Sequence, residues 1–380
     1  MKSKTSIFFM SSYTIKVLIT ILALQAPTIG HADTGTGWLK TLFESKGKSM
    51  KDVAVKVAEL DEDEKINIWG LDFSPDGRYL AAVPHTVSMS SKKLEVQIWD
   101  WQNKRIVHRL ELASGANIGQ TTESIRYSPD GQLLAVCHGR PGGSSDGNVI
   151  IRIWNTKTWA VAHDITDTNY GSCSAISFTA DGKLLVGVLF RLGVHPGDNL
   201  VIYDTTTWQS VWGLRTVPYY PNALAISPDG KLAVIGGGAY DNEGKLSQQI
   251  SIVDLTQHDI VRTISNPTGT NQIAWSPDGK YFTISSGGGI EVFDVGLGKP
   301  VISESLNTGD TSVRYTPDGK YLIDAALGGL TGNLGIRIWD SQHRELLQEI
   351  AGNYKGLAIS RDGNYLAAGG YKPVVIWKLK

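Results

Sequence analysis

Short runs in which apolar and polar residues alternate recur along residues 68–380, at the period of two that a half-buried β-strand requires. Seven times such a run closes on a large residue, Phe73, Tyr127, Phe178, Ile226, Trp275, Tyr315 or Ile359, and gives way to a four-residue turn. The turns read SPDG at Ser74, SPDG at Ser128, TADG at Thr179, SPDG at Ser227, SPDG at Ser276, TPDG at Thr316 and SRDG at Ser360. Proline presets φ near about −65° at the second position, Asp tolerates the third, and Gly takes the left-handed conformation at the fourth, so each turn predicts a tight hairpin. A second alternating run follows, such as Tyr79–Val83, and then a third with a repeated ending. These endings begin at Ile98 (IWD), Ile153 (IWN), Ile202 (IYD), Ile252 (IVD), Val292 (VFD), Ile338 (IWD) and Ile376 (IWK).

In six units a fourth run comes next, for example Arg105–Leu112 or Arg344–Ile350. Four antiparallel strands repeated every 40 to 54 residues predict an all-β fold, a seven-bladed β-propeller of four-stranded blades. The SPDG turns with the IWD strand ends resemble the WD40 repeat family over residues 52–380, with TolB-like propellers as more distant relatives. That resemblance implies a propeller used as a binding surface. The sequence departs from the family in lacking the Gly-His that opens a typical repeat, so the family's His-Asp network is not expected.

The seventh unit ends at its third strand, Val374–Leu379, one strand short of a blade. The segment Asp52–Leu60 is expected to supply the missing strand and close the ring, with Val53, Val55 and Val57 on one face. Upstream, Lys2, Lys4 and Lys16 precede the apolar run Val17–Ala26, and small residues end at Ala32. That run is too short for the ~20 residues of a membrane span, so residues 1–32 are expected to be a secretory signal peptide, with an uncleaved anchor as the alternative. Residues 33–51 are then a linker, with Trp38, Leu39, Leu42 and Phe43 spaced for one short helix. The expected location is periplasmic or secreted.

Charge narrows the partners. Without residues 1–32 the chain carries 33 basic and 37 acidic residues with no basic stripe, which argues against nucleic acid. After removal of the leader no stable membrane insertion is expected, and the chain is expected to be monomeric. The two cysteines, Cys137 and Cys173, form no C-x-x-C motif, so haem attachment and thiol-based metal sites have no support. They fall at the end of blade 2's second strand and the start of blade 3's first. A disulfide there is open to them in an oxidising compartment if the Cα atoms come within about 7 Å; otherwise they are two thiols.

Loop length points to one face of the disc. The loops from second to third strand are long in blades 1 to 4 and 6 (84–93, 138–148, 189–199, 237–248 and 327–335) and clipped in blades 5 and 7. Recognition groups sit on loops held by a rigid scaffold, so the expected binding residues are His85, His138, Arg140, Asp146, Arg191, His195, Asp198, Tyr240, Asp241 and Glu243. The three histidines lack metal-ligand spacing and read as surface residues, so no metal and no cofactor is expected. Trp99, Trp154, Trp339 and Trp377 repeat in register and are expected to pack between blades; Trp159 and Trp208 are expected at blade rims. Asp72, Arg126 and Arg314 interrupt a first-strand position that is otherwise Ser or Ala, and an ion pair between blades is their expected role.

Neither G-x-S-x-G nor H-E-x-x-H occurs. The functional expectation is a protein- or peptide-binding or scaffolding module of the cell envelope, not an enzyme. The alternatives are an assembly or sensing factor of TolB-like type, and a propeller enzyme (a hydrolase, a lactonase or a quinone-dependent dehydrogenase).

Overall fold

The computed structural model describes residues 52–61, 67–84, 93–114, 124–137, 149–166, 170–191, 198–215, 220–240, 245–266, 268–305, 311–326, 335–371 and 373–380. Their strands form seven four-stranded antiparallel sheets, which are the blades of a seven-bladed β-propeller. Blades 1 to 6 span residues 68–114, 125–166, 170–214, 220–265, 272–305 and 311–351, and blade 7 combines 354–379 with 54–60. First strands of adjacent blades lie against one another around the axis. Fourth strands form the rim, where Asp259–Ser265 alternates exposed and half-buried residues. No helix among the described residues is long and apolar enough to cross a membrane.

The recurring turns close through their own side chains. In all seven the hydroxyl of the first residue donates to the third-position carboxylate at 2.5–2.7 Å. That carboxylate accepts the N–H of the residue after the glycine at 3.0–3.1 Å. The same hydroxyl accepts the next N–H, as Ser74 does from Tyr79 at 2.9 Å. Each glycine has φ between +70° and +74°, a conformation open to glycine at no steric penalty.

The acidic strand ends have an equally local cause. Asp100, Asn155, Asp204, Asp254, Asp294 and Asp340 each accept a backbone N–H two or three residues on, capping the turn into the fourth strand. Blade 7 carries Lys378 at this position, within the strand Val374–Leu379.

Ring closure comes from Ala54–Leu60, which pairs antiparallel with Val374–Leu379. Its buried face differs from the expectation. Val53, expected to share a face with Val55 and Val57, is buried with Ala54, Ala58 and Leu60, whereas Val55 and Val57 are 40% and 43% exposed. A register shift between Lys56 and Ala58, a bulge, turns the buried residues from the junction with blade 6, where Val53 and Ala54 pack, to the junction with blade 1, where Ala58 and Leu60 pack. Gln348 on blade 6 fastens the segment, its side-chain oxygen accepting the N–H groups of Val53 and Ala54 at 2.8 and 2.7 Å.

The buried apolar residues fall into seven clusters, each straddling one junction between adjacent blades. At the junction of blades 2 and 3 a disulfide joins Cys137 to Cys173, with Cα atoms 5.3 Å apart. Both residues are fully buried.

Candidate functional site

Most residues expected to form the binding face, namely His85, His138, Arg140, Asp146, His195, Asp241 and Glu243, lie outside the described residues. Arg191 and Tyr240 are not in loops as expected. They end the second strands of blades 3 and 4, because pairing continues to Tyr170↔Arg191 and Tyr240↔Leu246. Asp198 is exposed just before the third strand of blade 3. Among the described residues no group of three metal-ligating side chains converges.

The charged first-strand residues meet near the axis. Asp72 of blade 1 accepts the N–H of Tyr127 in blade 2 at 2.7 Å. Burial pushes its pKa up to about 6, against the attraction of Arg126, the Tyr127 N–H and Arg314. Arg314 also donates to Gln272 of blade 5 at 2.7 Å. An unpaired buried charge costs several kcal/mol, and here two guanidiniums and a backbone donor share that burden, which fits a structural role.

The turn face holds a feature that the loop comparison does not show. Each turn from third to fourth strand has one residue at positive φ: Lys104, Trp159, Trp208, His258, Gly298 and Arg344 in blades 1 to 6. In blades 2, 3 and 4 this residue packs on the fourth strand of the preceding blade and fills the junction. Trp159 packs on His108 at 4.8 Å and edge-on to Tyr79 at 6.3 Å. Trp208 stacks on His163 at 5.5 Å, and His258 on Trp212 at 4.5 Å. At the junction of blades 4 and 5 the residue is Gly298, and Arg262 takes the space, donating to Val295 and Gly296 carbonyls at 3.4 and 3.3 Å. A Cβ on Gly298 would overlap that guanidinium.

The two junctions of blade 7 are filled by other means. Trp101 packs on Tyr365 at 4.8 Å between blades 7 and 1. Between blades 6 and 7 Tyr321 donates its hydroxyl proton to the carbonyl of Lys380 at 2.6 Å.

Blades 5 and 6 break the series. The register places Ile302 where His108, His163, Trp212 and Arg262 stand, since each pairs with the same third-strand position. Opposite Ile302 the positive-φ residue is Arg344, which is exposed. A cavity of about 550 Å³ occupies the gap, lined by Tyr281, Ile290, Val292, Ile302, Tyr315, Leu322 and Trp339 and rimmed by Asp278, Asp318, Asp340 and Arg344. Among the described residues this junction has five buried core residues, against nine to fifteen at the others.

Trp339 records the same gap. Trp99, Trp154 and Trp377 in matching positions are 4%, 2% and 4% exposed, packed between blades as expected, but Trp339 is only partly buried. Its indole N–H is held at 2.6 Å by Asp324. Asp324 is fully buried, its pKa raised by that burial against the pull of Arg337, to which it is paired. The indole is thus fixed with one side toward the cavity.

No family model matches this chain. Over 86 residues it is 28% identical to the hydrazine synthase subunit beta of Kuenenia stuttgartiensis, a stretch that covers 22% of this chain and 22% of that protein. So partial a likeness assigns neither family nor activity.

Proposed function

We propose that this propeller is a protein-binding module of the WD40-like kind, exported to the cell envelope. The observation that carries the reading is the unequal filling of the ring: one junction keeps a cavity where its neighbours pack side chains of their own. A volume of about 550 Å³ falls within the roughly 300–1,000 Å³ of typical ligand sites, and its lining of aromatic and aliphatic groups with a few polar ones at the rim is typical too. The partly similar protein is by its name a subunit, which accords with a chain that works against a partner. Export is inferred from the leader-like segment alone.

Two surfaces follow from this reading, the cavity on the turn face and the long loops between second and third strands. Capture from an envelope extract tests them with three baits: the chain from residue 33, the same chain with Arg344→Trp, and the same with Arg140, Arg191 and Tyr240 changed to Ala. A partner lost only with Arg344→Trp places recognition at the cavity, and one lost only with the triple variant places it on the loops. No partner retained by the unaltered bait removes the reading.

A further inference from the structure

Resting on that binding-module reading, we propose that the cavity between blades 5 and 6 receives an aromatic side chain of a partner protein, adjacent in the partner's sequence to a basic residue. The argument for the ring comes from the other junctions. At the junction of blades 1 and 2 the receiving surface consists of a strand-start residue and a fourth-strand residue of one blade, covered by the positive-φ turn residue of the next. Tyr79 and His108 receive Trp159 in this way. Tyr281 and Ile302 are their counterparts on blade 5, and both line the cavity. The covering position holds Arg344, a flexible cation with no ring to offer. The surface that elsewhere accepts an indole or an imidazole from its own chain is therefore left for a ring from outside. Trp339 and Tyr315 add aromatic walls, and ring pairs of this kind contribute about 0.5–1.5 kcal/mol beyond area burial.

The argument for the neighbouring base comes from the rim. Among the lining side chains three carboxylates, Asp278, Asp318 and Asp340, face one guanidinium, Arg344. Each carboxylate is held below its ordinary pKa, Asp278 and Asp318 chiefly by their turn hydroxyls and Asp340 by backbone N–H groups, so all three are ionised at neutral pH. Lys280, 3.7 Å from Asp278, and Lys320, which attracts Asp318, offset part of that charge, but neither lines the cavity. Among the groups that line the cavity the balance favours a cation beside the ring, an attraction weakened by salt.

Capped dipeptides serve as probes, with binding followed by ligand-observed NMR and isothermal titration. Acetyl-Trp-Lys-amide is expected to bind roughly tenfold more tightly than acetyl-Leu-Lys-amide. It should bind about threefold more tightly than acetyl-Trp-Glu-amide, a difference that shrinks at high salt. Arg344→Trp, which supplies the missing ring in cis, should abolish binding and raise the melting temperature; Ile302→His with Arg344→Trp rebuilds the His108 and Trp159 pair and should do the same. Arg344→Gly, compatible with the positive φ, should retain binding. Equal affinity for the Trp and Leu probes, or unchanged binding by a folded Arg344→Trp protein, overturns the proposal. A chain that retains a partner but ignores every Trp probe overturns this inference alone, whereas one that binds the probe but retains no partner overturns the protein-binding reading of the cavity.

Discussion

Blade 6 meets its two neighbours in opposite ways. Toward blade 7 it contributes to the largest cluster among the described residues, fifteen buried residues including Val53, Ala54, Trp377 and Leu379, and Gln348 binds the incoming N-terminal strand through two backbone N–H groups. Toward blade 5 the cluster has five and the cavity opens. The difference follows from how the chain is connected. Blades 5 and 6 are consecutive in sequence, so their contact is held by a short covalent connection whether or not the junction is filled. Blade 7 is completed by two segments more than 300 residues apart, and only packing and hydrogen bonds keep them together. Blades 6 and 7 are consecutive too, but their junction also seats the closing strand, so a ring can leave open a junction between two continuous blades but not the one that holds its closing strand.

The most severe test of that comparison is removal of the closing strand. Deleting residues 52–60 takes the buried Val53, Ala54, Ala58 and Leu60 from the core and leaves Val374–Leu379 as an unpaired edge. A loss of about 5 kcal/mol, or roughly 10 °C in melting temperature, is expected. Gln348→Ala makes a finer cut at the same place. It strands two partly buried N–H donors and should cost about 1–3 kcal/mol, whereas Gln342→Ala, at the cavity, should be neutral. Thermal unfolding followed by circular dichroism reads all three, and equal losses at Gln348 and Gln342 would break the comparison.

The junction of blades 2 and 3 offers a third state, a consecutive pair of blades that is both filled and cross-linked. Replacing Cys137 and Cys173 together by Ala should cost about 2–4 kcal/mol in denaturant titrations. The effect should vanish when the unaltered protein is compared under reducing conditions. If the reduced and oxidised proteins unfold at the same midpoint, the bridge adds nothing that packing does not already supply.

How much of this is legible in the sequence depends on the distance over which each feature is encoded. The blades and their turns are local: Ser74, Pro75, Asp76 and Gly77 specify a hairpin within four residues, and the incomplete seventh unit points to Asp52–Leu60. The bulge in the closing strand is not local, because the shift at Lys56 depends on its pairing with Trp377 and leaves no signal in the sequence around it. The cavity is encoded across a junction, by Ile302 in one blade and Arg344 in the next. Aligning the six turns into the fourth strand shows Trp159, Trp208 and His258 where Arg344 stands, and that contrast was available from sequence. What they pack against required the register. The long loops drew attention by their length, while the site with described geometry lies in turns of constant length.

The smallest expected effect concerns the axis, and it separates a structural charge from a functional one. Asp72 has a folded pKa of about 6 against an ordinary 3.8, so between these values the folded protein holds a proton that the unfolded chain has released. Stability contributed by the protonated form is therefore fully present below about pH 4 and lost as the pH rises through 6. Asp72→Asn keeps an oxygen to accept the Tyr127 N–H but cannot ionise. It should match the unaltered protein near pH 4 and exceed it at pH 7 by on the order of 1 kcal/mol, after discounting for solvent screening near the axis. The turn aspartates shift in the other direction, Asp130 and Asp181 through their turn hydroxyls, and their stabilisation is lost only as the pH falls below the ordinary carboxylate range. They are common to both proteins and cancel in the difference. A variant less stable than the unaltered protein at pH 7 would mean that Arg126 and Arg314 outweigh burial and keep Asp72 ionised, which would make the axis, like the junction of blades 5 and 6, a place where the ring holds charge ready for a ligand.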